Sequence, residues 1–435
     1  MRIKTLTTLI LIGLTVCGNA QDGFGSMAFD GKVYRGIVEN IDKADSVYGM
    51  SLWYSQDEPL AQLAKFNNLT YLNLGGQKPL PLDSIFQYIQ NTKIEHLMMY
   101  KCEVSQINKN ISNLKGLNKI SLSNNLVKDS LSFINLGSLP NLEFLDIRRN
   151  DIQTIPNTFC NLVNLRYLQI SGNKLSELPD SFGRLNQLEE LQIWSNDLQL
   201  LPESFGNLSK LKVVSFAYNK RFDLSKNVQV LSRLPNLKEL NLLSTGLTSI
   251  PSSINQMSSL EILDIGNNPN LDLTQAFESL SNCKTLKHLG LGVLDIRSLP
   301  ASFKQLDQLE SIDLDANRSM NFEEVFSTIS KTAKIKSISI SMCELRQIPV
   351  SILKLKYLEE LSIRQNSFDL ANEIAVLSKM KHLRKINASF NQTFNVTEEF
   401  KNLSHIEELV IQGVKLSDQD LIRLQSYLPK TKITN

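Results

Sequence analysis

Histidine occurs four times and cysteine five times in 435 residues, too little material for a metal centre, a histidine-assisted nucleophile or a disulfide-dense scaffold. Charge of one sign is also missing. Lys and Arg total 46 against 44 Asp and Glu, a formal net charge of +2, which gives no reason to expect nucleic acid or another polyanion as partner. Beyond the N-terminus no apolar run is long enough for a transmembrane helix. A Gly-rich phosphate loop, a His-x-x-x-His pair and a Cys-x-x-Cys pair are all absent, so no cofactor is expected. What is present is the composition of a folded chain, 42% hydrophobic and 21% charged, neither disordered nor multi-spanning. At roughly 150 residues per domain the length allows about three domains, a prior that internal repeats override.

Residues 1–20 read as a signal peptide: Arg2 and Lys4 precede an apolar run from Leu6 to Val16, and Gly18 and Ala20 suit signal peptidase. The competing reading is a buried N-terminal helix. Within the same stretch Leu14-Thr15-Val16-Cys17 resembles a bacterial lipobox, which would make Cys17 a lipid anchor, although Val16 is a poor fit before that cysteine. The expectation is therefore an exported protein, freely secreted, periplasmic or held at the surface by lipid. Residues 21–46 form an N-terminal cap segment with Tyr34, Ile37, Val38 and Ile41 on one amphipathic face. Residues 415–435 form a C-terminal cap, with Ser417 capping a short helix over Leu421, Leu424 and Leu428, and Ile433 adding a last extended turn.

Between the caps a nine-position frame, L-x-x-L-x-L-x-x-N, recurs. It is strict at Leu142-Leu145-Ile147-Asn150, Leu165-Leu168-Ile170-Asn173, Leu188-Leu191-Ile193-Asn196, Leu260-Leu263-Ile265-Asn268, Leu309-Ile312-Leu314-Asn317 and Leu358-Leu361-Ile363-Asn366. Looser copies begin at Val47, Leu69, Ile94, Leu117, Leu211, Leu237, Leu286, Ile335, Leu383 and Ile406, giving about sixteen repeats of 22–26 residues over 47–414. On these residues the chain resembles the leucine-rich repeat proteins, bacterial exported type without cysteine caps. The resemblance implies an α/β solenoid: a curved parallel sheet on the concave side, with short helices and extended or 3-10 turns alternating on the convex side.

The physics of the frame agrees. Its fourth and sixth positions point inward from a short strand that cannot bury them alone, so repeats must stack. Sixteen strands about 4.8 Å apart would extend roughly 75 Å. The asparagine turns the chain and satisfies backbone groups. Cys102, Cys343 and Thr245 occupy its slot and read as structural, whereas Gln77, Leu294 and Val414 should interrupt the ladder.

Repeat length alternates. Short units carry Pro156, Pro179, Pro202, Pro251, Pro300 or Pro349, which suits a non-sheet return segment. Longer units carry helical runs such as Asp272–Leu280. Phe159, Phe182, Phe205 and Phe303 fall at core positions of the return segments. No two cysteines lie in adjacent repeats, so no disulfide is expected. Asn68, Asn207 and Asn402 sit in sequons that arise from the repeat's own Asn-Leu-Ser/Thr phrase.

Positions three, five, seven and eight of the frame project onto the concave face. In the first eight repeats these include Trp53, Tyr71, His96, Tyr100, Phe144, Arg148, Tyr167, Trp194 and Tyr218, a candidate ligand-binding patch. The alternative is that these rings only stabilise the sheet by stacking on one another. Later repeats present small polar residues, with Asp264, Asp313 and Asp315 as a weak acidic candidate for a metal, read foremost as a solvated edge. His96 and His288 stand eight repeats apart, roughly 38 Å, and cannot cooperate. The expected function is non-enzymatic binding of a protein partner by the concave face. The rival is a carbohydrate or cell-wall glycan stacked on the Trp/Tyr platform.

Overall fold

The computed structural model describes residues 29–435 apart from 56, 79, 333, 392 and 393. The signal-peptide and Cys17 lipid-anchor readings lie outside the described residues. The chain divides into two compact units, up to Leu240 and from Asn241 onward.

Each repeat contributes one three-residue strand at frame positions three to five, and each cap segment contributes one more. In the first unit these are β1 (Val33–Arg35), β2 (Gly49–Ser51), β3 (Tyr71–Asn73), β4 (His96–Met98), β5 (Lys119–Ser121), β6 (Phe144–Asp146), β7 (Tyr167–Gln169), β8 (Glu190–Gln192) and β9 (Val213–Ser215). β10 (Glu239–Asn241) falls at the boundary. The second unit holds β11 (Ile262–Asp264), β12 (His288–Gly290), β13 (Ser311–Asp313), β14 (Ser337–Ser339), β15 (Glu360–Ser362), β16 (Lys385–Asn387), β17 (Glu408–Val410) and β18 (Lys432–Thr434). From β1 to β9, and again from β11 to β18, successive strands pair in parallel without a register slip. The central strand residue points inward, and Leu72, Leu97, Ile120, Leu145, Leu168 and Leu191 are fully buried. This is the leucine-rich repeat solenoid that the frame implies.

Repeat length decides what returns the chain. The units of 25 or 26 residues carry α1 (Leu82–Ile89), α2 (Ser130–Leu136), α3 (Leu224–Leu231), α4 (Leu273–Leu280), α5 (Phe322–Ile329) and α6 (Leu370–Leu377). The units of 22 or 23 residues carry 3-10 turns instead, six of them entered through a proline: Pro59, Pro156, Pro202, Pro251, Pro300 and Pro349. Five of the six helices α1 to α6 carry a side-chain acceptor at their entry, the exception being α1, which is entered through Pro81. Asp129, Asp223, Asp272, Asn321 and Asp369 each accept a backbone N–H of the first turn, satisfying donors a helix start leaves open. Three consecutive 3-10 repeats between Asn157 and Asn207 break the alternation. Behind the strands runs a phenylalanine core: Phe133 meets Phe159 at 6.0 Å, Phe182 stacks on Phe205 at 5.8 Å, and Phe277 meets Phe303 at 5.5 Å.

The asparagine slot works as its chemistry requires. Asn219 Nδ2 donates to Ile193 O at 3.1 Å and Phe216 O at 2.8 Å, while its Oδ1 accepts from Leu198 N at 3.0 Å. Cys102 and Cys343 substitute a thiol donor, reaching Leu74 O at 3.2 Å and Leu314 O at 3.5 Å. Burial pushes the Cys343 thiol up to about 12, so it stays protonated and able to donate. Gln77 departs from the expectation of a broken ladder. Its longer amide still donates to Leu52 O and Ser55 O. Cys102, Cys160, Cys283 and Cys343 are free and buried.

At the N-terminal cap the amphipathic face is divided. Gly36, at φ +73°, ends β1, Asn40 Nδ2 donates to Arg35 O and Gly36 O, and a 3-10 segment Val38–Ser46 follows. Ile37 is fully buried there while Val38 is exposed. At the other end Ser417 caps α7 (Asp418–Tyr427) by accepting from Asp420 N, and Ile433 lies in β18.

Candidate functional site

All nine patch candidates lie in the first unit, but the sheet separates eight of them into two rows of four and leaves Tyr218 outside both. Position three forms an unbroken row, because register pairing sets Tyr71 beside His96, His96 beside Lys119, Lys119 beside Phe144 and Phe144 beside Tyr167. Here the packing alternative holds in large part. Phe144 is only 4% exposed and its ring lies 6.3 Å from that of Tyr167, while Arg166 covers Tyr167 at 5.4 Å. Phe144 is therefore no open contact residue: neighbours on both sides take up its surface. Phe29, from the cap segment, stacks on Tyr71 at 5.0 Å and meets His96 edge-on at 6.5 Å.

Position seven is built differently. Backbone hydrogen bonds link consecutive repeats so that the row runs Trp53, Gly75, Tyr100, Ser123, Arg148, Ser171, Trp194, Ala217. Large residues alternate with small ones. Side chains two strands apart stand about 10 Å from one another, beyond ring stacking, so this row cannot serve the mutual packing that position three shows. Trp53 is 51% exposed and Tyr100 37%, and Trp194 is half-buried. Arg148 is held by Asp146, the last residue of β6 in its own repeat, Nη2 to Oδ2 at 2.8 Å and Nε to Oδ1 at 2.9 Å, a bidentate geometry that fixes the guanidinium. Tyr218 belongs to position eight, at φ +58°. So does Tyr54, which the nine candidates omit although it is exposed and its ring lies 5.7 Å from that of Trp53. The alternation was present in the sequence, in a column that has to be read alone to be seen.

At position two, where the strands begin, opposite charges neutralise one another. Arg166 bridges Glu143 at 3.5 Å and Glu189 at 2.7 Å, and Lys212 meets Glu189 at 2.6 Å. The second unit repeats the device with Lys287–Glu261 at 2.9 Å, Lys336–Glu310 at 3.0 Å and Arg384–Glu407 at 3.5 Å. These surface pairs add little stability, but they leave a column of charges largely paired within the molecule.

The acidic candidates of the second unit are not a solvated edge. Asp264 leans over Gly290, where a Cβ would stand 2.8 Å from its Oδ1, and that oxygen accepts from Gly266 N at 2.9 Å. Asp315 is buried and accepts from Ser341 N at 2.7 Å and Ser339 Oγ at 2.5 Å. Burial, with the Asp315 and Asp264 charges beside it, holds the Asp313 carboxyl well above the usual carboxylate range. The reason is the glycines: Gly266, Gly290 and Gly292 leave space into which the carboxyls fold. Among the described residues no group of three or more His, Cys, Asp or Glu could hold a metal ion. His96 and His288 sit in different units, His288 buried with Nδ1 2.9 Å from Ser311 Oγ.

A leucine-rich repeat region model matches residues 153–236 and 253–434, more than half of the chain, and a second leucine-rich repeat model matches 115–175. The chain belongs to the leucine-rich repeat family. No curated protein matches it. Among solved structures, this leucine-rich repeat protein is similar to one from Leptospira interrogans, at 23% identity and a TM-score of 0.53, covering 93% of this chain and 100% of that one. An internalin of Listeria monocytogenes is 20% identical with a TM-score of 0.47, covering 76% of this chain and 89% of that one. In this family member no helix among the described residues is long and apolar enough to cross a membrane.

Proposed function

We propose that this leucine-rich repeat protein is an exported, non-enzymatic recognition protein that binds an extended segment of a protein partner along the position-seven row of its first unit. The observation that carries this reading is the alternation of Trp53, Tyr100, Arg148 and Trp194 with Gly75, Ser123 and Ser171. Aromatic and arginine side chains are the residues that concentrate binding energy at interfaces, and the small residues between them are covered, Ser123 and Ser171 at 3% and 0% exposed and Gly75 with Trp53 Cδ1 3.3 Å from where a Cβ would stand, so the large side chains form the row's surface. A step of about 10 Å equals roughly three residues of extended chain, so successive large side chains match every third residue of a peptide laid along the row. Arg148 is pre-oriented by Asp146, which lowers the ordering cost of binding. The rival glycan platform would need rings in a common plane, but Trp53 and Tyr54 are tilted by 31° and Trp194 stands apart from them by several repeats.

Export rests on the basic, apolar and small-residue order of residues 1–20, with lipidation at Cys17 as the alternative form of attachment. The test is affinity capture from envelope and host extracts with the mature protein, run beside Trp53→Ala, Arg148→Ala and Trp194→Ala. A partner retained by the parent and lost from all three supports the reading; a partner retained equally by all four proteins rejects this row as the interface.

A further inference from the structure

The position-seven row does not stand alone. Position eight repeats its alternation: Tyr54, Lys101 and Arg149 follow Trp53, Tyr100 and Arg148, while Gly76, Asn124 and Gly172 follow Gly75, Ser123 and Ser171. Every second repeat therefore presents a pair of large side chains. The pair is aromatic at Trp53 with Tyr54, aromatic and cationic at Tyr100 with Lys101, and cationic at Arg148 with Arg149, and Trp194 closes the series.

The charges on this face are unequal. From β2 to β8 the outward positions three, five, seven and eight hold four cations, Lys101, Lys119, Arg148 and Arg149, against two carboxylates, Asp146 and Glu190. Neither carboxylate is available to the exposed cations. Asp146 is buried and engaged by Arg148. Glu190 is half-buried and accepts from Gln192 Nε2 at 3.1 Å, and burial raises its carboxyl above the usual range. The acids nearest along the chain to Lys101 and Arg149 are Glu103 and Asp151, and both are taken by neighbouring repeats: Lys78 pairs with Glu103, and Lys174 with Asp151 at 2.9 Å. Lys101 and Arg149 are exposed, and among the described residues neither has a carboxylate within ion-pair distance. Two unpaired cations thus stand two strands apart, about 10 Å, with an aromatic anchor two strands beyond each. Charge complementarity selects partners of the opposite sign for such a surface.

We propose that the segment bound along this row is acidic: an extended peptide with two carboxylate side chains three residues apart, at Lys101 and Arg149, and an apolar or aromatic side chain three residues beyond each, at Trp53 and Trp194. This inference rests on the position-seven row being the binding surface. The order aromatic, cation, cation, aromatic reads the same from both ends, so the spacing holds for either direction of the peptide.

The experiment selects a random dodecapeptide display library on the mature protein and, in parallel, on Trp194→Ala. Peptides retained by the parent are expected to be enriched in Asp or Glu at two positions three residues apart, and to be lost on Trp194→Ala. A synthetic peptide of the enriched sequence should bind, by calorimetry, at least about tenfold more tightly than its counterpart with Gln in place of the acids. Its affinity should fall as salt rises, because exposed charges are screened. Lys101→Gln combined with Arg149→Gln should weaken the acidic peptide about tenfold, leave the Gln counterpart unchanged and leave the melting midpoint unmoved. Trp194-dependent peptides without acidic enrichment, or an acidic peptide indifferent to the loss of both cations, would overturn the acidic partner and sustain the row. Failure to select any Trp194-dependent peptide would overturn both.

Discussion

The ring of Phe390 lies across Gly413 of the following repeat, where a Cβ would stand 2.4 Å from Phe390 Cδ1. The same relationship joins Tyr54 to Gly76, again at 2.4 Å, and Arg149 to Gly172 at 3.0 Å. All six residues occupy frame position eight, where the backbone is left-handed: φ is +59° at Phe390 and +69° at Gly413. Glycine there serves two needs, a positive φ and room for the side chain of the repeat before it. Gly413→Ala is expected to cost about 2–3 kcal/mol, combining the left-handed penalty with the collision. In a Phe390→Ala background the same change should cost only the backbone part, about 1 kcal/mol. Equal costs in the two backgrounds, measured by denaturant unfolding, would show that the ring contributes nothing.

Val293 stands in the same slot at φ +59°, the least suitable type for it, because a β-branched side chain crowds the left-handed backbone. Asparagine tolerates that conformation. Val293→Asn should therefore raise stability by about 1 kcal/mol although it removes an apolar side chain, and a lowered melting midpoint would count against the strain argument.

The strands, the alternation of helix with 3-10 turn and the asparagine ladder were legible because each depends on a residue's place in a strict period. The left-handed column was not. Only Gly76, Gly172 and Gly413, with Asn124 and Asn267, advertise it, while Tyr54, Ser195, Tyr218, Val293 and Phe390 adopt it under the constraint of neighbouring repeats. In the candidate site, outward direction was legible but exposure was not, since Phe144 is covered by side chains from adjacent strands rather than by its own. Nor could the frame reveal Phe29 on Tyr71, since Phe29 lies in the cap segment outside the repeated frame. The acidic candidates failed for a related reason: an aspartate beside glycines on adjacent strands folds into the space they leave.

Two titratable groups on strands of the second unit, His288 buried and Asp313 partly so, give opposite pH dependences. Burial lowers His288 to about 4, below the value of about 6.5 for an exposed imidazole. The unfolded chain therefore binds the proton first, and the contribution of His288 is complete above about pH 6.5 and lost as pH falls toward 4. Asp313 has the reverse sign. Its carboxyl titrates higher when folded, so its contribution is present below the ordinary carboxylate value of about 3.9 and is lost as pH rises through the raised one. His288→Gln should flatten the decline in melting midpoint between pH 6.5 and 4. Asp313→Asn keeps an oxygen for the Asp315 N–H, which reaches Asp313 Oδ1 at 2.7 Å, and should raise the midpoint at pH 7.5 by a few degrees and much less at pH 3.5.

Separating stability from recognition is the decisive test of the two rows. Phe144→Ala removes a ring that is almost wholly covered and should destabilise the first unit by about 3 kcal/mol, while a partner still binds to whatever fraction remains folded. Trp53→Ala removes a half-exposed ring with small residues on the adjacent strand, so the expected stability change is within about 0.5 kcal/mol, against a loss of binding worth about 2 kcal/mol or more if it anchors a partner. Equilibrium unfolding and partner affinity measured on the same preparations place each variant on two axes. If Phe144→Ala weakens binding without loss of stability, or Trp53→Ala destabilises without loss of binding, the assignment of packing to position three and recognition to position seven is reversed.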